Sequence, residues 1–447
     1  MTSSLRFIFG ATLALAIGVA GAAAQTSDTN ALPIDLATAL RLAGAQNLDI
    51  QIARENYKEA QAKHDSAVEQ FFPWVSLGVG YHRRDGVAQA SPSGAISEAH
   101  YQSYAPGATA VAQVDLGDAI YTTLAAKQLV KASNEALAAQ HQNTTAAAAQ
   151  AYFDLVKAKA LVAVVNEAIQ ISQDYERQLH DAVGLGIAFK GDELRVQTQT
   201  QHYQIARQQA LVQQRVAAVN LAQILHLDAT VDLIPVDAGL TRITLAPTNA
   251  ALASLVAQAL KSRPELKQNE AQLEVARAQK NGAVYGPLIP TIGAQVFGGG
   301  LGGGPDGSSG TFDGMADYTV GLSWRIGPGG LFDTGRVKAN TARMTVSQLN
   351  ESKLKDAVTS QVVAASVNVA STATQIQLAE QNLNTASETL RLAKERKQYG
   401  VGVVLEDIQA QTALTQARAD YVTALAEYNK SQYALAQAIG GLDSTTK

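Results

Sequence analysis

The chain has 447 residues, 47% of them hydrophobic, and a net charge of -4 with no basic block. That suffices for a large folded protein and argues against nucleic acid as a partner. The absence of cysteine excludes disulfides, Cys-ligated zinc and a lipid on an N-terminal cysteine.

Arg6 precedes an apolar run from Phe7 to Ala20, and Ala22-Ala23-Ala24 offers a cleavage site before Gln25. Residues 1–24 therefore read as a signal peptide. No later stretch approaches ~18 apolar residues, so no transmembrane helix is expected after cleavage. Asp35 is placed to cap a helix that begins at Leu36, continues to Gln70 with a break near Asn47, and ends before Pro73.

From Trp74 to Arg83 the chain alternates, with Val75, Leu77, Val79 and Tyr81 on one face and Ser76, Gly78, Gly80 and His82 on the other. A polar, turn-rich segment from Arg84 to Tyr104 leads to a second strand at about 108–116. From Ile120 to Asp181 there is neither Gly nor Pro, so a long helix is expected. Gly184-Leu185-Gly186 interrupts it, and a returning helix runs from Asp192 to Leu227. Residues 231–247 read as a connector with a strand or two.

The pattern then starts again. Leu252 to Tyr285 is helical, broken at Arg263-Pro264. Strands are expected at 290–298 and 317–327, and nine glycines fall between Gly298 and Gly314. From Val337 to Gln398 apolar or small residues recur in alternating steps of three and four. They include Val358, Val362, Val369, Ile376, Leu383 and Leu390, with Thr372 filling one gap. This is a coiled-coil seam on a helix of roughly 90 Å. Tyr399-Gly400-Val401-Gly402 stops it, and a second seam runs through Leu414, Ala417, Tyr421, Ala424, Tyr428, Ser431, Leu435 and Ile439.

The chain is thus an internal duplication with a spacing of about 214 residues. The first repeat covers 25–230, with strands at 74–83 and 108–116 and a helical hairpin at 120–228. The second covers 248–441, with strands at 290–298 and 317–327 and a hairpin at 332–440; residues 442–447 form a short tail. The fold class is mainly α with transmembrane β: a duplicated helix, strand, strand, long-hairpin unit. Strands of about ten residues span a bilayer when tilted. Four cannot close a barrel, and open edges are not tolerated in lipid, so copies must join. Two copies would give eight strands and three would give twelve.

The chemistry of a catalytic site is not evident. The glycine-rich run lacks Gly-Lys-Ser/Thr, the histidines are scattered, and no Gly-x-Ser-x-Gly elbow occurs. No enzyme activity, cofactor or metal is expected. A passive duct fits best; a periplasmic coiled-coil adaptor and a porin-like or autotransporter-like channel are the alternatives.

Several local patterns, taken with the duplicated order of elements, resemble the TolC-like outer membrane efflux family. They are Leu32-Pro33-Ile34-Asp35-Leu36, Arg263-Pro264-Glu265-Leu266, Leu331-Phe332-Asp333-Thr334-Gly335, and Tyr399-Gly400 followed by Glu406-Asp407-Ile408-Gln409-Ala410. The resemblance covers essentially the whole mature chain. It implies a homotrimer in the outer membrane of a Gram-negative cell. The twelve-stranded barrel would continue into a periplasmic α-helical barrel that docks an adaptor and an inner-membrane pump. The tunnel constriction would lie at Glu406, Asp407 and Gln409, with Glu406 innermost and Asp407 turned about 100° away. Asp192 and Glu193 hold the equivalent place in the first hairpin. The docking tips would be Gly184, Leu185 and Gly186, and Tyr399, Gly400 and Gly402. Two departures stand out: there is no N-terminal cysteine, and Gln409 stands where some members have a further acid.

Overall fold

The structure, a computed structural model, describes residues 31–89, 92–236, 239–246, 250–305, 310–399 and 403–442. The signal peptide and the tip residues Gly400 and Gly402 lie outside them.

The first repeat opens with β1 (Ala31–Ile34), α1 (Leu36–Gln46) and α2 (Leu48–Glu69). Asp35 caps α1 by accepting from the Thr38 amide at 2.7 Å. Asn47 breaks the helix and restarts it. Its side chain accepts from Asp49 and Ile50 amides and donates to the Ile224 carbonyl at 2.9 Å, tying the break to a distant helix. There follow β2 (Trp74–Gln89), β3 (Ile96–Asp115), α3 (Leu116–Gly184) and α4 (Lys190–Ile224). A short β4 (Asp232–Pro235) pairs in parallel with β1. The second repeat supplies α5 (Leu252–Ser262), α6 (Pro264–Tyr285), β5 (Thr291–Pro305), β6 (Thr311–Ser323), α7 (Thr334–Gln398) and α8 (Val404–Ala438). At 69 residues, α3 is about 100 Å long.

Several boundaries differ from the sequence reading. β2, β3 and β5 run well beyond their alternating stretches, into segments expected to be loops. Backbone pairing, unlike membrane burial, asks nothing of the side chains; polar residues and glycines extend a ladder while their partners remain in register. β6 also starts earlier, yet stops at Ser323 rather than residue 327. Gly327 and Gly329 have φ of 107° and 76°, and the turn they make folds Leu331 back onto the Arg325 carbonyl at 2.8 Å. The first hairpin begins at Leu116, where Asp115 accepts from the Asp118 amide. β1 had no signal, because four residues are too few to show a period.

The coiled-coil seam is built as its period requires. Val358, Val362, Val369, Thr372, Ile376, Ala386, Leu390 and Ala393 are buried on α7, and Leu414, Ala417, Ala424, Tyr428, Ser431 and Leu435 on α8. The widest core lies at mid-height, where Ile34, Tyr152, Phe153, Leu155, Leu221, Leu225 and Leu233 cluster with Tyr433. The connector is tied across it by two fully buried amides of α8. Asn429 accepts from the Ile243 amide and donates to the Thr241 carbonyl, and Gln432 accepts from the Leu245 and Ala246 amides.

Candidate functional site

The four long strands form one antiparallel sheet in the order β2-β3-β5-β6. The pairing of β3 with β5 joins the two repeats edge to edge. Register then sorts the side chains. Val75 is level with Ala110, Val296 and Tyr318, and Leu77 with Ala108, Gly298 and Ala316. Val114, Ile292 and Leu322 form another row of the same face. The opposite face carries Ser76, Thr109, Gln113, Asp115, Gln295, Asp317 and Thr319.

The apolar face is bare. Leu77 is 82% exposed and Val320 79%, and no helix covers either. Its outer limit is a row of Tyr81, Tyr104, Gly302 and Phe312. Ten residues separate Gly302 from Ile292 on β5. At ~3.3 Å per residue and the usual barrel tilt, that row spacing gives a band about 25 Å tall, the height of an outer-membrane apolar belt. The outer edges of β2 and β6 have no strand partner among the described residues. An apolar, two-edged sheet of this kind is stable in lipid only when its edges are closed by further strands.

Below the sheet, the chain passes into the helices through a tight joint. Gly117 of α3 lies against Gly286, where a Cβ would fall 2.1 Å from the carbonyl oxygen. Arg336 of α7 pairs with Asp118 of α3, linking the two long helices at their upper ends. Asp333 caps α7 through the Arg336 amide at 2.9 Å and also accepts from Gly329, and these amides hold its carboxyl below the usual range. Among the described residues, no helix is long and apolar enough to cross a membrane.

At the far end are the two reversals. Gly186 has φ 74°, and its amide bonds the Val183 carbonyl while Ile187 reaches back to Ala182. Leu185, Ile187 and Phe189 are exposed at this tip, as are Tyr399 and Val403 at the other.

The acidic residues near the tips are arranged unequally. Glu406 pairs with Arg396 across the second hairpin at 2.8 Å. Asp407 is buried, 3.8 Å from Lys397. Gln409 is exposed. The Lys397 ammonium lies 3.6 Å from the ring centroid of Tyr175 on α3. Burial holds Lys397 below its usual pKa, and nearby Asp407 opposes that shift. The Tyr175 hydroxyl is pushed well up, first by burial and then by the Asp407 and Asp192 charges. These groups line a cavity of about 500 Å³ between α3, α4, α7 and α8, with Ser172, Val196, Tyr203 and Gln411. In the first hairpin Glu193 is buried as Asp407 is, held by His180 at 3.1 Å and Lys190 at 2.7 Å. Lys397 and Tyr175 were missed by sequence reasoning. Arg396-Lys397 resembles any basic helix end, and Tyr175 is more than 200 residues from its partner.

Residues 255–441, nearly all of the second repeat, match the family described as Outer membrane efflux protein. No curated protein sequence matches the chain. Solved structures share the fold across nine-tenths of it. The CmeC outer membrane channel of Campylobacter jejuni superposes with a TM-score of 0.75 at 18% identity, covering 91% of this chain and 85% of that one. The MtrE outer membrane channel of Neisseria gonorrhoeae gives 0.74 at 18% identity, covering 91% and 89%. The VceC outer membrane protein of Vibrio cholerae gives 0.73 at 17% identity, covering 91% and 96%. The family match thus falls on the second repeat, and the fold of these solved outer membrane proteins extends over both repeats.

Proposed function

We propose that the chain is one subunit of a passive exit duct, conducting solutes from the periplasm across the outer membrane on energy supplied by a partner. The observation that carries this is the continuity of a bare, one-sided apolar sheet with helices about 100 Å long. The sheet supplies a third of a twelve-stranded wall, and the helices extend that wall into the periplasm. Three copies close the edges of β2 and β6 on one another. Nothing in such a duct performs chemistry. The CmeC and MtrE structures are of outer membrane channels, and the same role fits this chain.

A duct needs a pump at its inner end. The exposed apolar tips around Gly184, Leu185 and Gly186 and around Tyr399 are the surfaces that a periplasmic adaptor, itself bound to an inner-membrane pump, would meet first. Of the three residues expected at the constriction, Glu406 is the acid that would narrow this mouth, with Gln409 exposed near it, while Asp407 is turned into the packing between the helices. The reading of the chain as an adaptor finds no support. An adaptor needs a lipoyl-like unit interrupted by one hairpin, and the described residues build two hairpins on one continuous sheet.

The test is physical. The mature chain should fractionate with the outer membrane, run as a trimer by native mass measurement in detergent, and give single-channel currents in planar bilayers. A stable, folded, water-soluble monomer would overturn the proposal.

A further inference from the structure

Just below the sheet, α3 and α7 start in the same way. Asp115 caps α3 through the Asp118 amide, and Asp333 caps α7 through the Arg336 amide. Counted from the two caps, Asp118, Thr122 and Ala125 of the first repeat correspond to Arg336, Asn340 and Arg343 of the second. Steps of four and three keep each set on one face of its helix. Together with Gln279 of α6, the two faces line one cavity of about 260 Å³.

The two repeats differ in charge here. Arg336 is matched: it pairs with Asp118 and donates to the Gly329 carbonyl at 3.3 Å. Arg343 is not. Its counterpart on α3 is Ala125, and among the described residues no carboxylate pairs with it. One guanidinium nitrogen donates to the Asn340 amide oxygen at 3.3 Å, which leaves the other two nitrogens without an acceptor. Asn340 is buried and donates to the Arg336 carbonyl at 3.0 Å, so it holds the Arg343 fork in place. The Thr122 hydroxyl and the Gln279 amide also line the cavity and have no protein partner among the described residues. Unused donors therefore come from three helices, and two arginines face one aspartate.

The cavity lies on the polar side of the wall. Ile120 and Leu124 stand about 200° around α3 from Thr122. Both are exposed, and with Lys127 and Lys131 beneath them they continue the lipid-facing side of the sheet. The face with Asp118 and Thr122 continues the other side, which carries Gln113 and Asp115. We propose that this cavity is an oxyanion site on the inner wall of the duct, taking phosphate or sulfate, free or carried on a passing solute. Arg343 supplies a charge-assisted fork, and Thr122 and Gln279 donate from the flanking helices, an arrangement that suits a tetrahedral acceptor. The volume leaves room for several waters beside the anion, at ~30 Å³ each. A lipid headgroup offers the same chemistry but would meet the opposite face of α3. This rests on the reading of the chain as a duct and adds a class of solute that its wall holds.

The test adds inorganic phosphate to single channels in planar bilayers, at constant ionic strength and pH 7. The current should fall and saturate as phosphate rises. Arg343→Gln should raise the half-effect concentration about tenfold or more, the loss of one charge-assisted contact. Arg343→Lys, which keeps the charge and loses the fork, should fall between the two. Thr122→Glu, which places a carboxylate in the cavity, should abolish the effect with both arginines still present. Lys127→Gln, on the opposite face, should leave it unchanged. Native mass measurement confirms that each variant is assembled. A conducting channel indifferent to phosphate, an unchanged response in Arg343→Gln, or a loss with Lys127→Gln would overturn the site and leave the duct standing. Phosphatidylglycerol retained by the native protein and lost from Arg343→Gln, with no phosphate effect on current, would assign the arginine to lipid and overturn the wall site. A chain that gives no channel at all would overturn the duct and the site with it.

Discussion

Tyr104 and Phe312 stack over Gly302, their ring centroids 5.9 Å apart and 11° from parallel. They come from β3 and β6, which do not touch; β5 lies between them and presents a glycine at the level where the rings meet. A Cβ there would fall 2.6 Å from the Tyr104 ring and 2.8 Å from the Phe312 ring. The glycine keeps the aromatic row continuous across three strands at the outer limit of the apolar band. Gly302→Val should therefore force one ring out of the row, at about 1–3 kcal/mol, and reduce the amount of folded trimer in membranes. Adding Phe312→Ala should restore part of that loss. A double variant that accumulates no better than Gly302→Val would separate the glycine from the rings.

The sequence exposes this sheet only in part. Alternation over Val75, Leu77, Val79 and Tyr81 assigns the membrane face, and the register places those residues level with the apolar positions of the other strands. The outer halves of β2 and β3 carry Arg83, Asp85, Glu98 and His100, which have no such pattern because water lies on both faces there. Their strand character comes from cross-strand pairing, as between Asp85 and His100, and pairing is a long-range property. The helical seam was more legible, since Val358 to Ala393 repeats its own signal along the helix. The tip was less so. Burial separates Asp407 from Glu406 through packing against α3, a helix from the other repeat, and no local period encodes that contact.

Asp154 and Lys157 of α3 form a closed ring of alternating charge with Glu427 and Lys430 of α8, and this ring has a pH limit with a definite sign. Burial alone would lower the Lys157 pKa, but its hydrogen bonds to Glu427 and Asp154 outweigh that and leave it raised above its ordinary 10.5. A raised lysine contributes stability that is complete below the ordinary value and disappears as pH rises through the shifted one. The α3–α8 contact should thus be insensitive to pH from 7 to about 10 and loosen above that, where lysines ordinarily titrate. Hydrogen exchange along Asp154–Lys157 and Glu427–Lys430 would register the change. Lys157→Met should weaken protection at neutral pH and flatten the alkaline step; an unchanged step in that variant would assign it to another group.

Gly186 offers a test of the first tip. Its φ of 74° is left-handed, with nothing within 4 Å of where a Cβ would stand. Backbone strain, and not crowding, is then what a substitution introduces. Gly186→Val should disturb the turn that presents Leu185 and Ile187, lowering export in cells while leaving trimer insertion intact. Gly186→Asn should be milder, because asparagine tolerates this conformation better than a β-branched residue. Equal loss from both variants would point to the missing hydrogen side chain itself, with a partner packed directly on the glycine; loss from neither would place docking elsewhere.

Glu406 and Asp407 are adjacent in sequence and differ in everything that decides a pore role. Glu406 pairs with Arg396 at a site partly open to water, so at the proposed mouth its charge would be available to ions but offset in part by its partner. Asp407 is turned into the packed interior, beside Lys397 and beneath Tyr175, where its charge is felt by the protein and screened from passing solute. Three copies of Glu406 on one axis would attract cations and repel one another. Glu406→Gln should therefore weaken cation preference and block by multivalent cations in planar bilayers. Arg396→Gln, which frees the carboxylate, should strengthen both. Asp407→Asn should leave selectivity nearly unchanged while loosening the contact between the hairpins, seen as easier proteolysis near the tips. A larger selectivity change from Asp407→Asn than from Glu406→Gln would mean that assembly rotates this helix and brings Asp407 to the axis.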